Sequence, residues 1–491
     1  MKNKKKVVKT LTLSVFGLAM MNVAAIMSLR GLPMMAEEGL SLIFFVAFAA
    51  IFFLLPVSLI SAELASAFST GKGGVYLWAK EAFGNRFGFI TIYLQWIQNV
   101  IWFPTVLAFC AGSLSYVMVL FWDPNQVSML SQNNYFIVIV ILVVYWLATF
   151  NSFRGIKAAS KLSTIGVIAG TLVPGIFIII LGAIWALTGH DLGFMHVPGG
   201  GQARLLPDFS NFSSLAFLAG IVLLYAGMEV GAVHVKDLKN PQKEFPKAIF
   251  VSMAIIIVIF SLGSLAVASV LSPNEINLNS GLMQAFHDMI VKLVPAGFVN
   301  PIIAVLGFLT ALGVVGGVAA WIAGPSKGLL ATASEGDLPP FLAKMNKNNI
   351  QTNILWIQGG IVTLLALLFI LIPNASVVFT LLTAITAILY LTMYLLLYIT
   401  AIKLRYSHPD LKRPYRVPGG NFGMITICST GILAVLFALV LGFFPPSQLH
   451  LKSPATYVVY VVIGVIVFLA IPFIISALKK PSWVKKPDSN K

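Results

Sequence analysis

The chain has 491 residues, of which 58% are hydrophobic and only 10% charged, with a mean hydropathy of +0.93. That balance excludes an enzyme built on a soluble domain, because no stretch between apolar runs exceeds about 30 residues once runs are judged by the ~20 residues that span a bilayer. The net charge of +16 comes from lysines and arginines dispersed among short loops, so it speaks for membrane topology and against nucleic-acid binding.

Twelve apolar runs predict an all-α integral membrane protein: 11–35, 42–65, 87–121, 135–150, 162–187, 215–235, 248–271, 299–329, 354–372, 377–402, 424–444 and 457–478. Run one follows a lysine-rich start, Lys2 to Lys9, but it is too long for a signal peptide and has no small-residue cleavage pattern. Runs three and eight exceed the bilayer and predict tilt or an extra turn. Of the 32 basic residues, all but Arg30, Arg204, Lys292 and Lys452 fall at the N-terminus, in alternate loops or in the tail. One miscounted span would destroy that asymmetry, so both termini are expected in the cytoplasm of a plasma or inner membrane. The expected organisation is a cytoplasmic segment 1–10, a transporter domain 11–478 and a short tail 479–491. Cys110 and Cys428 sit in apolar runs without CxxC spacing and read as core residues.

The first run contains Ser28-Leu29-Arg30-Gly31-Leu32-Pro33. Proline removes a backbone donor, glycine adds freedom, and an arginine at this depth is costly, so the helix is predicted to break near the midplane. Such breaks are tolerated only where the freed backbone faces protein or a watery cavity. Run six repeats the pattern in Tyr225-Ala226-Gly227-Met228-Glu229-Val230-Gly231. Run six lies five spans after run one, so the two enter from opposite sides. That is a five-plus-five inverted repeat, about 11–187 and 215–402, followed by two extra helices in 424–478, with a substrate site where the breaks meet. A glycine-rich packing face is the plainer alternative.

Half-helix N-termini suit a carboxylate and half-helix C-termini an ammonium, so a zwitterionic amino acid fits such a site. Arg30 needs an anion, and either Glu229 or a substrate carboxylate could supply it. Tyr390 and Tyr394 share one face of run ten at mid-span, where a hydroxyl wants a partner. Glu63 reads as a structural carboxylate paired with a loop cation, Glu37 and Glu38 as solvated residues near the outer mouth, and His234 as a weak titratable candidate. Gly71 to Gly74 lacks the strand and Lys-Ser/Thr pair of a phosphate cradle. Nothing resembles a nucleophile–base pair, a metal cluster or a nucleotide site, so neither catalysis nor a cofactor is expected.

The run Pro33 to Gly39, Gly227-Met228-Glu229 through Val235 with Asn240-Pro241, Trp321 to Gly328 with Ala343-Lys344-Met345-Asn346-Lys347-Asn348, and His408-Pro409-Asp410-Leu411-Lys412-Arg413 with Pro418-Gly419-Gly420 resemble the glutamate:GABA antiporter family of the APC superfamily. The resemblance covers nearly the whole chain in order. It implies the broken-helix (LeuT-like) fold and exchange of an amino acid for its decarboxylation product by alternating access. It also implies that Glu229, Tyr390 and Tyr394 line the pathway. The chain departs from that pattern where glutamate exchangers carry Tyr-Glu-Tyr-Pro and it has Arg30-Gly31-Leu32-Pro33, and where they carry an acid in span eight and it has Gly317. The tail of about 13 residues is too short for the plug some members possess. The departures make the site more positive, favouring an anionic or zwitterionic amino acid over a cationic amine. The sequence-predicted substrate site is therefore Ser28, Arg30, Gly31, Leu32, Tyr225, Gly227, Glu229, Gly317, Tyr390 and Tyr394, taking an amino acid and its amine. Uptake without obligatory exchange, by a proton-coupled or general permease, is the alternative.

Overall fold

The computed structural model describes residues 14–68, 74–195, 203–210, 215–231, 238–446, 449 and 453–483. His234, Gly71 to Gly73, Lys2 to Lys9 and residues 484–491 lie outside them. The helices are α1 (Val15–Ile26), α2 (Gly31–Ala36), α3 (Gly39–Ala67), α4 (Val75–Phe83), α5 (Asn85–Leu120), α6 (Asn134–Phe153), α7 (Ala158–Leu187) and α8 (Phe217–Leu224). They continue with α9 (Lys243–Val270), α10 (Gly281–Leu293), α11 (Ala296–Ser334), α12 (Thr352–Leu371), α13 (Ala375–Ser407), α14 (Gly420–Leu441) and α15 (Pro454–Ala477).

Among the described residues, ten of these helices are long and apolar enough to cross a membrane. The shorter apolar ones, α1 and α8, belong to the two runs whose sequence predicts interruption. Helix α1 starts at an N-cap in which Ser14 Oγ accepts from Gly17 N at 3.0 Å, and it ends before Ser28; the chain resumes as α2 with Pro33 in its first turn. Proline there costs nothing, since a first-turn N–H has no intrahelical acceptor.

The structure adds detail to the apolar runs. Helix α3 widens into a π turn over Ala50–Leu54 just before Pro56, and α7 does so over Gly166–Leu172 before Pro174. A proline inside a helix excludes the carbonyl four residues earlier, and a wider turn relieves the clash. Helices α4 and α10 are short amphipathic helices, each with one buried face, that a scan for apolar runs leaves as loop. Glu37, expected in solvent, is buried, and its Oε2 has no hydrogen-bond partner. Both cysteines are free and buried, as expected.

Helix α5 is buried along most of its length and packs chiefly against α13 and α11. Helices α7 and α11 cross backbone to backbone: a Cβ on Gly170 would stand 2.1 Å from Gly313 N, and one on Gly166 would stand 2.7 Å from Gly316 Cα. Only glycine permits that approach.

One end of the bundle is fastened by ion pairs. Glu63, buried at the end of α3, accepts from Arg405 Nε at 2.6 Å and Nη2 at 2.5 Å, and from the Val417 N–H at 2.7 Å; Arg413 Nε lies 3.2 Å away. The paired carboxylate expected from the sequence is therefore present, with Arg405 belonging to the extended end of α13 rather than to a loop. Nearby, Glu335 Oε2 accepts from Lys80 Nζ at 2.5 Å and from the Tyr76 hydroxyl at 2.6 Å, and Lys479 Nζ lies 2.5 Å from Asp337 Oδ1.

Replacing Glu63 by Gln strands two buried guanidinium groups, so Glu63→Gln should destabilise the protein by about 3–5 kcal/mol. Thermal denaturation in detergent checks this, and an unchanged midpoint contradicts it. Burial pushes the Glu335 carboxyl up, but the bonds from Lys80 and Tyr76 outweigh it and hold the group below the usual glutamate value. A depressed carboxylate stabilises fully above its unfolded pKa, about 4.3, and loses that contribution as pH falls through the folded value. The midpoint difference between wild type and Glu335→Gln should thus be present at neutral pH and close in acid.

Candidate functional site

The two breaks meet beside α5, α11 and α13. Gly31 packs beneath Leu224 so closely that a Cβ would lie 2.7 Å from Leu224 Cδ1. At the first break the N–H groups of Ser28, Leu29 and Arg30 carry no hydrogen bond within the described residues. The end of α1 is held by Trp321, whose indole donates to the Ala25 carbonyl at 2.9 Å, while Asn99 Nδ2 donates to the Trp321 carbonyl at 2.9 Å.

At the second break, Gly227 adopts φ +124°, a conformation that side chains resist. Its N–H donates to the Tyr394 hydroxyl at 2.8 Å. That hydroxyl donates to Glu229 Oε2 at 2.6 Å, while Glu229 Oε1 accepts from Tyr390 at 2.5 Å and from Gln95 Nε2 at 3.0 Å. Three donors converge on one buried carboxylate, enough to keep it solvated without a cation.

Arg30 is the other charge at this depth, and it does not meet Glu229. Its Nη1 donates to Thr105 Oγ1 at 3.1 Å and to Thr383 Oγ1 at 3.2 Å, and its guanidinium carbon lies 5.0 Å from the centre of the Phe379 ring. Nε has no partner, and among the described residues no carboxylate lies within 4.0 Å. Of the two anions that the sequence allows for Arg30, the Glu229 pairing is therefore not formed. Glu229 is committed to its tyrosines, and Arg30 points toward the hydroxyls of α5 and α13.

Two cavities flank the first break. One, a small cavity of about 40 Å³, is lined by Ser28, Arg30, Gln98, Asn99, Trp321 and Tyr390 among others. The second, about 30 Å³, shares Ser28 and Trp321 and reaches Gly317, where a Cβ would meet nothing within 4 Å. Of the residues predicted from sequence, Ser28, Arg30, Tyr390 and Gly317 thus line cavities, while Gly227, Glu229 and Tyr394 form the hydrogen-bonded wall behind Tyr390. Gly31 serves close helix contact. Leu32 and Tyr225 do not line either cavity: Leu32 packs on Gly263 of α9, and Tyr225 packs edge-on against Phe260 with ring centres 5.2 Å apart. Being next to a break in sequence does not determine which way a side chain turns.

Several site residues escape the sequence reading. Gln95, Gln98 and Asn99 lie three and four apart in mid-span, so a polar stripe on one face of α5 was a usable signal. Thr105 and Thr383 had none, because threonines in spans commonly bond their own helix, as Thr105 also does to the Trp102 carbonyl.

Tyr394→Phe keeps the ring but strips one donor from Glu229 and the acceptor from Gly227. It should cost about 1–3 kcal/mol, the penalty for unsatisfied buried groups, read as a lowered thermal midpoint in detergent. An unchanged midpoint contradicts the arrangement.

Residues 13–468 match the family described as amino acid permease. The chain is similar to an uncharacterised transporter of Legionella pneumophila, 40% identical over 94% of this chain and 96% of that protein. It is also similar to a glutamate/gamma-aminobutyrate antiporter of Lactococcus lactis, 31% identical over 95% of this chain and 90% of the relative. A probable agmatine/putrescine antiporter of the same species is 25% identical over 89% of each. A family match over nearly the whole length leads to one conclusion: the chain belongs to the amino acid permease family and is a multi-pass membrane transporter, not an enzyme.

Proposed function

We propose that the protein is a secondary antiporter that exchanges an amino acid for its decarboxylation product by alternating access. It does so in the plasma or inner membrane, with both termini cytoplasmic. In this reading the interrupted helices complete twelve spans, arranged as five-plus-five inverted repeats with two further helices. The observation that carries the proposal is Arg30: a buried guanidinium with no anionic partner among the described residues, lining a cavity beside unbonded N–H groups at the first break. A charge left so in a membrane calls for an anion from outside the protein. The α-carboxylate of an amino acid supplies it, and the decarboxylation product has lost that α-carboxylate, so the two substrates differ in how they neutralise the site. With Glu229 engaged by Tyr390, Tyr394 and Gln95, the cavity favours anionic or zwitterionic amino acids over cations. Antiport of such pairs is supported by the relatives named as glutamate/gamma-aminobutyrate antiporters.

Labelled uptake into proteoliposomes tests both parts. Uptake should require unlabelled amino acid or amine inside the vesicles. A pH gradient driving uptake into empty vesicles overturns obligatory exchange in favour of proton-coupled uptake. Losing a charged hydrogen bond costs about 1.5–3 kcal/mol, so Arg30→Ala should weaken amino acid binding roughly tenfold to a hundredfold. It should weaken binding of the decarboxylation product, which lacks the α-carboxylate, much less, and equal losses for both ligands overturn the α-carboxylate role. A thermal-shift panel of amino acids and their amines identifies the pair.

A further inference from the structure

The segment Ala343 to Asn348 takes no part in the transport site, yet it is tightly built. Met345 and Gln351 form an isolated antiparallel bridge, and Asn346 N donates to the Ile350 carbonyl at 2.9 Å. Asn346 Oδ1 accepts from the N–H groups of Asn348 and Ile350 at 2.9 and 3.1 Å. The turn is then clamped onto the end of α6: Nδ2 of Asn346 and Nδ2 of Asn348 both donate to the Phe153 carbonyl, at 2.9 and 3.0 Å.

This clamp sets exposed Lys344 and Lys347 at the same corner as exposed Arg154, the residue after Phe153. Among the described residues, none of the three has a carboxylate within 4.0 Å. In the helices adjoining the corner, Trp356 of α12 packs at a tilt against Trp146 and Phe153 and edge-on against Phe150 of α6, with ring centres 5.2, 5.9 and 6.0 Å apart. Trp356 and Phe150 are 50% and 47% exposed, and among the described residues the Trp356 indole N–H has no hydrogen-bond partner. Met345 and Phe341 also stand exposed beside the lysines.

Unpaired cations at the rim, next to exposed aromatic faces within the spanning helices, match a molecule with an anionic head and a hydrocarbon body. We propose that this corner binds an anionic phospholipid of the adjoining leaflet. Its phosphate sits among Arg154, Lys344 and Lys347, and its acyl chain lies along Trp356 and Phe150. A general excess of basic residues on one membrane face accounts for cations here, but not for a turn pinned by two asparagines to one carbonyl beside a half-exposed tryptophan. The lipid ties the α6–α7 connection to the α11–α12 loop, bracing the helix pair that crosses at Gly170 and Gly313.

Native mass spectrometry of the full-length protein in detergent, titrated with phosphatidylglycerol or phosphatidylcholine, tests the site. Wild type should bind phosphatidylglycerol in preference, with millimolar inorganic phosphate failing to displace it. The triple variant R154Q/K344Q/K347Q should weaken phosphatidylglycerol binding on the order of tenfold or more. A control removing the same charge elsewhere on that face, K239Q/K403Q/K412Q, should change it less than about twofold. N346A/N348A keeps every charge but releases the turn, and it should lose the preference while keeping the thermal midpoint of the lipid-free protein near that of wild type. Equal losses in the triple variant and its control, or displacement by phosphate, would overturn the proposal.

Discussion

A helix that stops inside a membrane exposes backbone groups that no water can satisfy, and this constraint governs the centre of the molecule. Each interruption is held in part by side chains from elsewhere in the chain. Trp321 from α11 takes the Ala25 carbonyl, and Tyr394 from α13 takes the Gly227 N–H. Asn99 in turn holds the Trp321 backbone, so the first break is fixed to both α5 and α11. The rest of the bundle can be seen as scaffolding that brings these partners to two weak points.

The same need for internal solvation treats the two central charges differently. Glu229 is surrounded by three donors and needs no counter-ion. Arg30 has two threonine hydroxyls and an aromatic face, which leaves part of its guanidinium unanswered. At the fastened end of the bundle, Arg405 shows the opposite solution, a bidentate carboxylate with a second arginine and a backbone N–H sharing it. Two buried arginines thus differ: the hydrogen-bonding groups of one are matched by a carboxylate, and Nε of the other has no partner among the described residues.

Rigidity and mobility are distributed along these lines. Glycine contacts between α7 and α11 and the buried ion cluster at Glu63 hold large surfaces together. The breaks, by contrast, rest on single hydrogen bonds and on Gly227 at positive φ. The proposed alternating access would use joints of that kind set within a firm frame.

Much of this was legible in the sequence, because hydropathy, glycine, proline and charge act locally or through topology. The lengths of the spans, the positions of both interruptions, the buried cysteines and the paired state of Glu63 all follow from residue type and spacing. The polar stripe of Gln95, Gln98 and Asn99 was written there too, in its three-and-four spacing. What only the tertiary structure decided is which side chains face each other across the bundle. Arg30 to Thr383 spans more than 350 residues of chain, and Glu229 to Tyr390 more than 150. Local propensity carries no record of such pairings. They arise from how helices rotate about their axes when glycine contacts and buried charges are satisfied together, and that rotation turned Leu32 and Tyr225 away from the cavity, gave Glu229 to the tyrosines and left Arg30 without a protein anion.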